Sequence, residues 1–145
     1  MCNLKTLFGR NIGLTYIERI YDKNNHKVDI DSSITFSSQK NGSEDKSFLM
    51  LSVIPTYRYN TKNFQERLNL GIGTGLNLAS RDIPSESNDN ENLNTQLNLE
   101  IAYRINKKTS SDLVIGVKHR CSLFGMIGGK LRGSQWYTIG LRQWL

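Results

Sequence analysis

Strict alternation of apolar and polar residues, sustained over long runs, constrains this chain more than any other feature. From Leu93 the odd positions Leu93, Thr95, Leu97, Leu99, Ile101, Tyr103 and Ile105 are nearly all apolar, while Asn94, Gln96, Asn98, Glu100, Ala102 and Arg104 are polar or small. From Leu68 the pattern returns: Leu68, Leu70, Ile72, Thr74, Leu76 and Leu78 on one side, Asn69, Gly71, Gly73, Gly75, Asn77 and Ala79 on the other. Successive side chains of a strand project to opposite faces, so period two predicts strands with one apolar face.

Five further segments read the same way: Asn11–Asp22, Lys27–Gln39, Lys46–Asn60, Thr109–Ser122 and Ser134–Leu145. Turn-rich links separate them, including the long polar stretch Arg81–Glu91 and the glycine-bearing Leu123–Gly133. The strands run about 12–15 residues, against about 5–6 in ordinary globular sheets, and reach the length of a tilted bilayer crossing. Seven strands are one short of the even number expected of bacterial membrane barrels. Leu4–Phe8 is one candidate for a short eighth strand; a first strand lying upstream, together with an export signal, is the other.

The polar face decides between a soluble and a membrane barrel. Asp29, Asp31, Arg58, Asn69, Gly71, Gly73, Gly75, Asn77, Asn98, Glu100, Arg104, Lys118 and Arg120 would make a poor water-facing skin. They would make a tight polar lumen, in which small residues leave room and opposite charges pair. The expected fold is therefore all-β: an antiparallel up-and-down barrel of about eight strands, outer-membrane type, forming one domain over residues 1–145. A soluble barrel holding an apolar ligand inside is the competing architecture, and it would pack the leucine set into a closed core. Arg81–Glu91 is expected to be exposed and mobile.

Composition removes other classes. No window approaches the roughly 18–20 apolar residues of a membrane helix, and Met1–Arg10 is too short and polar for a secretory signal. The formal net charge is +6, but the basic residues are dispersed without a run of four, which argues against nucleic acid as a partner. Cys2 and Cys121 form no metal-type spacing, so neither a metal nor another cofactor is expected.

One cluster is chemically suggestive: Lys118-His119-Arg120-Cys121-Ser122, just before the glycine-bearing link. Alternation places His119 and Cys121 on the apolar side with Leu113, Ile115 and Val117. A histidine two residues from a thiol can serve as base and nucleophile toward an acyl ester held in a membrane. The plainer reading makes His119 an interfacial polar residue and Cys121 a small filler. Ser122 points to the lumen under strict alternation, so it becomes a nucleophile only if the strand bulges there.

Over residues 46–145 the chain resembles the outer-membrane lipid A 3-O-deacylases, also called acyloxyacyl hydrolases. Ile54-Pro55-Thr56-Tyr57-Arg58-Tyr59 is similar to the family's proline, aromatic and arginine strand, and Gly71-Ile72-Gly73 through Leu78-Ala79-Ser80-Arg81 to its glycine strand. His119-Arg120-Cys121 sits where the family has His-x-Ser followed by Asn, and Gly140-Leu141-Arg142 resembles its closing strand. The resemblance implies an outer-membrane barrel that hydrolyses an ester-linked acyl chain of lipid A, or of another membrane lipid, at its lipid-facing wall. It makes His119 the general base, Cys121 the nucleophile in place of serine, and Ser122 the counterpart of the oxyanion-associated asparagine. Gln135 occupies the neighbourhood of the acid that orients the histidine, and no Asp or Glu follows Asp112. An amide cannot stabilise a forming imidazolium as a carboxylate does. The same resemblance is therefore compatible with a structural or lipid-binding barrel that has lost catalysis.

Overall fold

The computed structural model describes residues 3–6, 9–41, 44–61, 67–80, 92–106, 108, 110–122 and 132–144; for 3–6, 9–10, 39–41, 44–46, 121–122 and 132–135 it describes the backbone only. The strands are β1 (Asn3–Thr6), β2 (Gly9–Lys23), β3 (His26–Asn41), β4 (Glu44–Asn60), β5 (Leu68–Ala79), β6 (Leu93–Asn106), β7 (Ser111–Ser122) and β8 (Arg132–Gln143). They form one sheet in the order β1-β8-β7-β6-β5-β4-β3-β2, and every pair of neighbours from β2 to β8 is antiparallel. The sheet is rolled up. Trp144, just beyond β8, lies 4.4 Å from the guanidinium of Arg19 on β2, and Arg120 of β7 reaches 3.1 Å from the Met50 sulfur of β4.

The all-β barrel expected from the alternation is what the chain forms, with one rung of different sense. β1 pairs β8 in parallel, from Asn3 opposite Arg132 to Thr6 opposite Gln135. An odd run of alternating strands leaves β2 and β8 pointing the same way. β1 leads into β2 across residues 7–8, so it shares that direction when it meets β8.

The two ends of the barrel differ. At one end lie the β2–β3 hairpin, the β4–β5 and β6–β7 links and the end of β8; at the other lie the longest intervals between strands, Ser80–Asn92 and Leu123–Leu131. We call these the turn end and the loop end. The β2–β3 hairpin needs only Asn24 and Asn25 between Lys23 and His26, and Asn24 takes a φ of 58°, a left-handed conformation that asparagine tolerates. The stretch Arg81–Glu91, expected to be exposed and mobile, lies outside the described residues.

Faces follow the alternation. Leu70, Ile72, Leu76, Leu97, Leu99 and Ile101 are all exposed on the outer wall, whereas Arg58, Asn69, Asn77, Gln96 and Ala102 are buried inside. A soluble barrel with its leucines enclosed is the reverse of this arrangement. The bulge between Arg19 and Tyr21 modifies the pattern in β2. It turns both Ile20 and Tyr21 outward and brings Arg19 and Asp22, three residues apart, to one side, 3.2 Å from each other.

Inside, glycines make room for charge. Glu100 stands opposite Gly71 on β5 and Gly116 on β7. A Cβ on Gly71 would lie 2.8 Å from Glu100 Oε1. In that space Glu100 accepts from Arg58 Nε and from Arg142 Nη2, each at 2.7 Å. Arg58 also donates to Asp29 and Asp31, both at 2.6 Å, and Arg19 donates to Asp29 at 3.0 Å. Arg104 pairs with Asp112, which also accepts from Trp144 Nε1 at 2.7 Å. The loop-end half of the lumen is filled differently, by Phe48, Met50 and Ala79 with Trp136 packed on them and the Arg120 guanidinium 5.3 Å from the Trp136 ring.

Candidate active site on the outer wall

β7 carries His119 toward the loop end, and the register on both sides fixes its neighbours. Leu97 of β6 and Gln135 of β8 are its direct cross-strand partners. Residues in direct register share a face with Cβ atoms about 5 Å apart. Gln135 thus occupies the nearest position to His119 on β8, a placement that rests on the β7–β8 register. Cys121 lies two residues farther along β7, about 7 Å between Cα atoms, opposite Thr95 and Gly133. By backbone register the three positions form a compact triangle on two adjacent strands.

Ser122 is the last residue of β7. Its partner in register is Asn94, whose side chain is buried in the lumen, and β7 runs without a bulge from Asp112 through Ser122. The register sets the Ser122 backbone opposite a lumen-facing residue; its side chain lies outside the described residues.

His119 is half-buried, as are its same-face neighbours Val117 and Thr95, while Leu97 and Tyr137 are exposed. An apolar wall with one imidazole suits an acyl chain lying along it and a carbonyl stopping at the histidine. Asp29, Asp31 and Asp112 are buried in the lumen, where Glu100 pairs with Arg58 and Arg142, and Glu18 of β2 is exposed. Among the described residues no group of three His, Cys, Asp or Glu side chains is placed to hold a metal ion.

A cavity of about 160 Å³ lies away from this site. It opens at the turn end of the lumen and is lined by Arg19, Arg58, Arg104, Asp112, Arg142 and Trp144 among others. Its arginines are the same groups that pair with the lumen carboxylates. Asp112 and Trp144 were not singled out by sequence as lumen residues, and Arg142 only as part of a closing-strand motif, although the even positions of β7 and β8 carry the signal that places Asp112 and Arg142 inside.

No family model matches the sequence, and no curated protein matches it. Among solved structures, the crystal structure of the outer membrane enzyme PagL matches with a TM-score of 0.62 at 14% identity, over 93% of this chain and 88% of that one. At such identity the likeness is one of fold, and the chain is built as a PagL-type β-barrel.

Proposed function

We propose that the protein is an outer-membrane barrel that binds an acylated lipid, lipid A or a close relative, at the His119–Cys121–Gln135 triangle and cleaves an ester-linked acyl chain there. The observation that carries the reading is the β7–β8 register, which sets the half-buried His119, beside the exposed Leu97 and Tyr137, directly opposite the Gln135 position near the loop end. The fold shared with an outer membrane enzyme and the family resemblance over residues 46–145 support it.

In this reading His119 takes the proton of the Cys121 thiol, and the thiolate attacks the ester carbonyl. The C–O bond breaks, the departing alkoxide takes the proton back from the imidazolium, and an acyl thioester remains on Cys121. Water, deprotonated by His119, hydrolyses the thioester to free fatty acid and restores the thiol. The Gln135 amide oxygen can accept from the imidazole and hold its orientation, but it supplies no charge. That deficit is the specific ground for a second reading, a barrel that binds the lipid without turning it over.

The test is release of free fatty acid from purified lipid A by the protein in detergent. His119→Ala should lower the rate about 100-fold or more. Cys121→Ala should abolish turnover while Ser122→Ala leaves most of it. Equal release by wild type and His119→Ala would place the chemistry elsewhere; no release by wild type, with lipid A still bound, would establish the second reading.

A further inference from the structure

The outer wall carries a second polar cluster, at the turn end, that the proposed activity does not use. Lys23 of β2 pairs directly with His26 of β3, and His26 with Tyr59 of β4. Tyr57, two residues along the same face, has its hydroxyl 2.6 Å from His26 Nδ1, and the Tyr59 ring centroid is 5.2 Å from the imidazole. The β2 bulge brings Tyr21 into the row of Val28 and Tyr57. Away from the turn the wall becomes apolar, with Val53, Leu51 and Leu49 exposed on β4 and Ile34 and Phe36 on β3. The tyrosines thus mark the level at which a hydrocarbon core would give way to headgroups, where membrane barrels place their aromatic girdles.

At that level Lys23 and His26 offer an ammonium charge and a ring nitrogen, and Tyr59 a hydroxyl, side by side over three strands. Asp22 does not intervene: it lies on the other side of the hairpin, held by Arg19 at 3.2 Å and Lys27 at 3.7 Å. With Nδ1 engaged by Tyr57, the remaining ring nitrogen of His26 can donate outward. One positive charge and two or three donors match a phosphodiester anion. The apolar wall continuing from the cluster matches the acyl chains attached to it, which a free phosphate lacks.

We propose that Lys23, His26 and Tyr59 bind the phosphate of a phospholipid in the leaflet on the turn side, with Tyr57 positioning the imidazole. This inference rests on the membrane reading above but not on catalysis at His119. The protein is floated with vesicles of phosphatidylethanolamine and phosphatidylglycerol, then transferred to dodecyl maltoside and titrated with phosphatidylglycerol, retained lipid being counted by native mass spectrometry. Wild type should retain one phospholipid. The double variant Lys23→Ala/His26→Ala should bind about tenfold more weakly or worse, and Tyr57→Phe about threefold more weakly. Lys23→Gln/His26→Gln serves if the alanine variant does not fold, and heat-modifiable migration on gels checks folding. Unchanged retention by the double variant overturns the proposal, as does displacement of the lipid by inorganic phosphate at equal concentration. Failure to float sinks the membrane reading itself, whereas floating without retained lipid sinks this inference alone.

Discussion

Glu100 accepts from Arg58 and Arg142 in a space that Gly71 and Gly116 leave open, so one carboxylate ties β4, β6 and β8 together across the lumen. Removing its charge takes the Glu100 carboxylate from Arg142 and leaves the buried Arg58 with Asp29 and Asp31 alone. Glu100→Gln should therefore lower unfolding free energy by about 3 kcal/mol, read as a shift of the urea midpoint in detergent. For the proposed activity the decisive position is Gln135. If the amide at that position limits turnover, Gln135→Glu should raise fatty-acid release about tenfold or more, because a carboxylate there would orient the imidazole and stabilise its charged form. Cys121→Ser alone, which restores the family's nucleophile without the acid, should gain little. That His119 shares a face with Leu97 was legible in the sequence because period two fixes which side of a strand a residue occupies. That Gln135 stands directly opposite His119 was not, since it depends on how β7 and β8 align across Leu123–Leu131.

The elements themselves were legible to within a few residues, since each of the seven long strands carries its own alternation. Local irregularities were not. Ile20 and Tyr21 both face outward because of a bulge, and no residue in Glu18–Asp22 announces it. The contact between β4 and β5 shows how sequence and register act together. Pro55 has no N–H to offer, the cross-strand register skips Ile54 and Pro55, and the hydroxyl of Thr56 takes up the Ile54 carbonyl at 3.2 Å. The strands come close there: a Cβ on Gly75 would lie 2.8 Å from Ile54 Cα, and one on Gly73 2.9 Å from the Pro55 carbonyl oxygen. Gly75→Val should cost about 2–3 kcal/mol of stability, because backbone must move to admit it. Gly140→Ala is the contrasting case, with nothing within 4 Å of the added carbon, and its urea midpoint should stay near that of wild type.

For the whole molecule, the polar lumen and apolar wall invert the usual globular distribution, and this inversion makes bilayer rather than water the matching solvent. The sequence disclosed it through the second face: glycines, asparagines and paired charges suit a narrow interior and not a surface. It did not disclose which charges pair across the lumen. Glu100 with Arg142, or Arg19 over Trp144, join residues far apart in the chain, and only the rolling of the sheet brings them together. The parallel meeting of β1 with β8 escaped it for the same reason, because strand direction at closure is a property of the whole count of strands.

The central claim, that odd positions of β6 face lipid and even positions face the lumen, is tested most directly with single nitroxide labels at Asn98 and Leu99 in a Cys2→Ser/Cys121→Ser background, in phospholipid vesicles. Leu99 should be relaxed by dissolved oxygen and shielded from a water-soluble nickel chelate, whereas the neighbouring label at Asn98 should show little access to oxygen. Shielding of Leu99 from both reagents, with Asn98 open to nickel, would mean that the leucines enclose a core and would contradict the account.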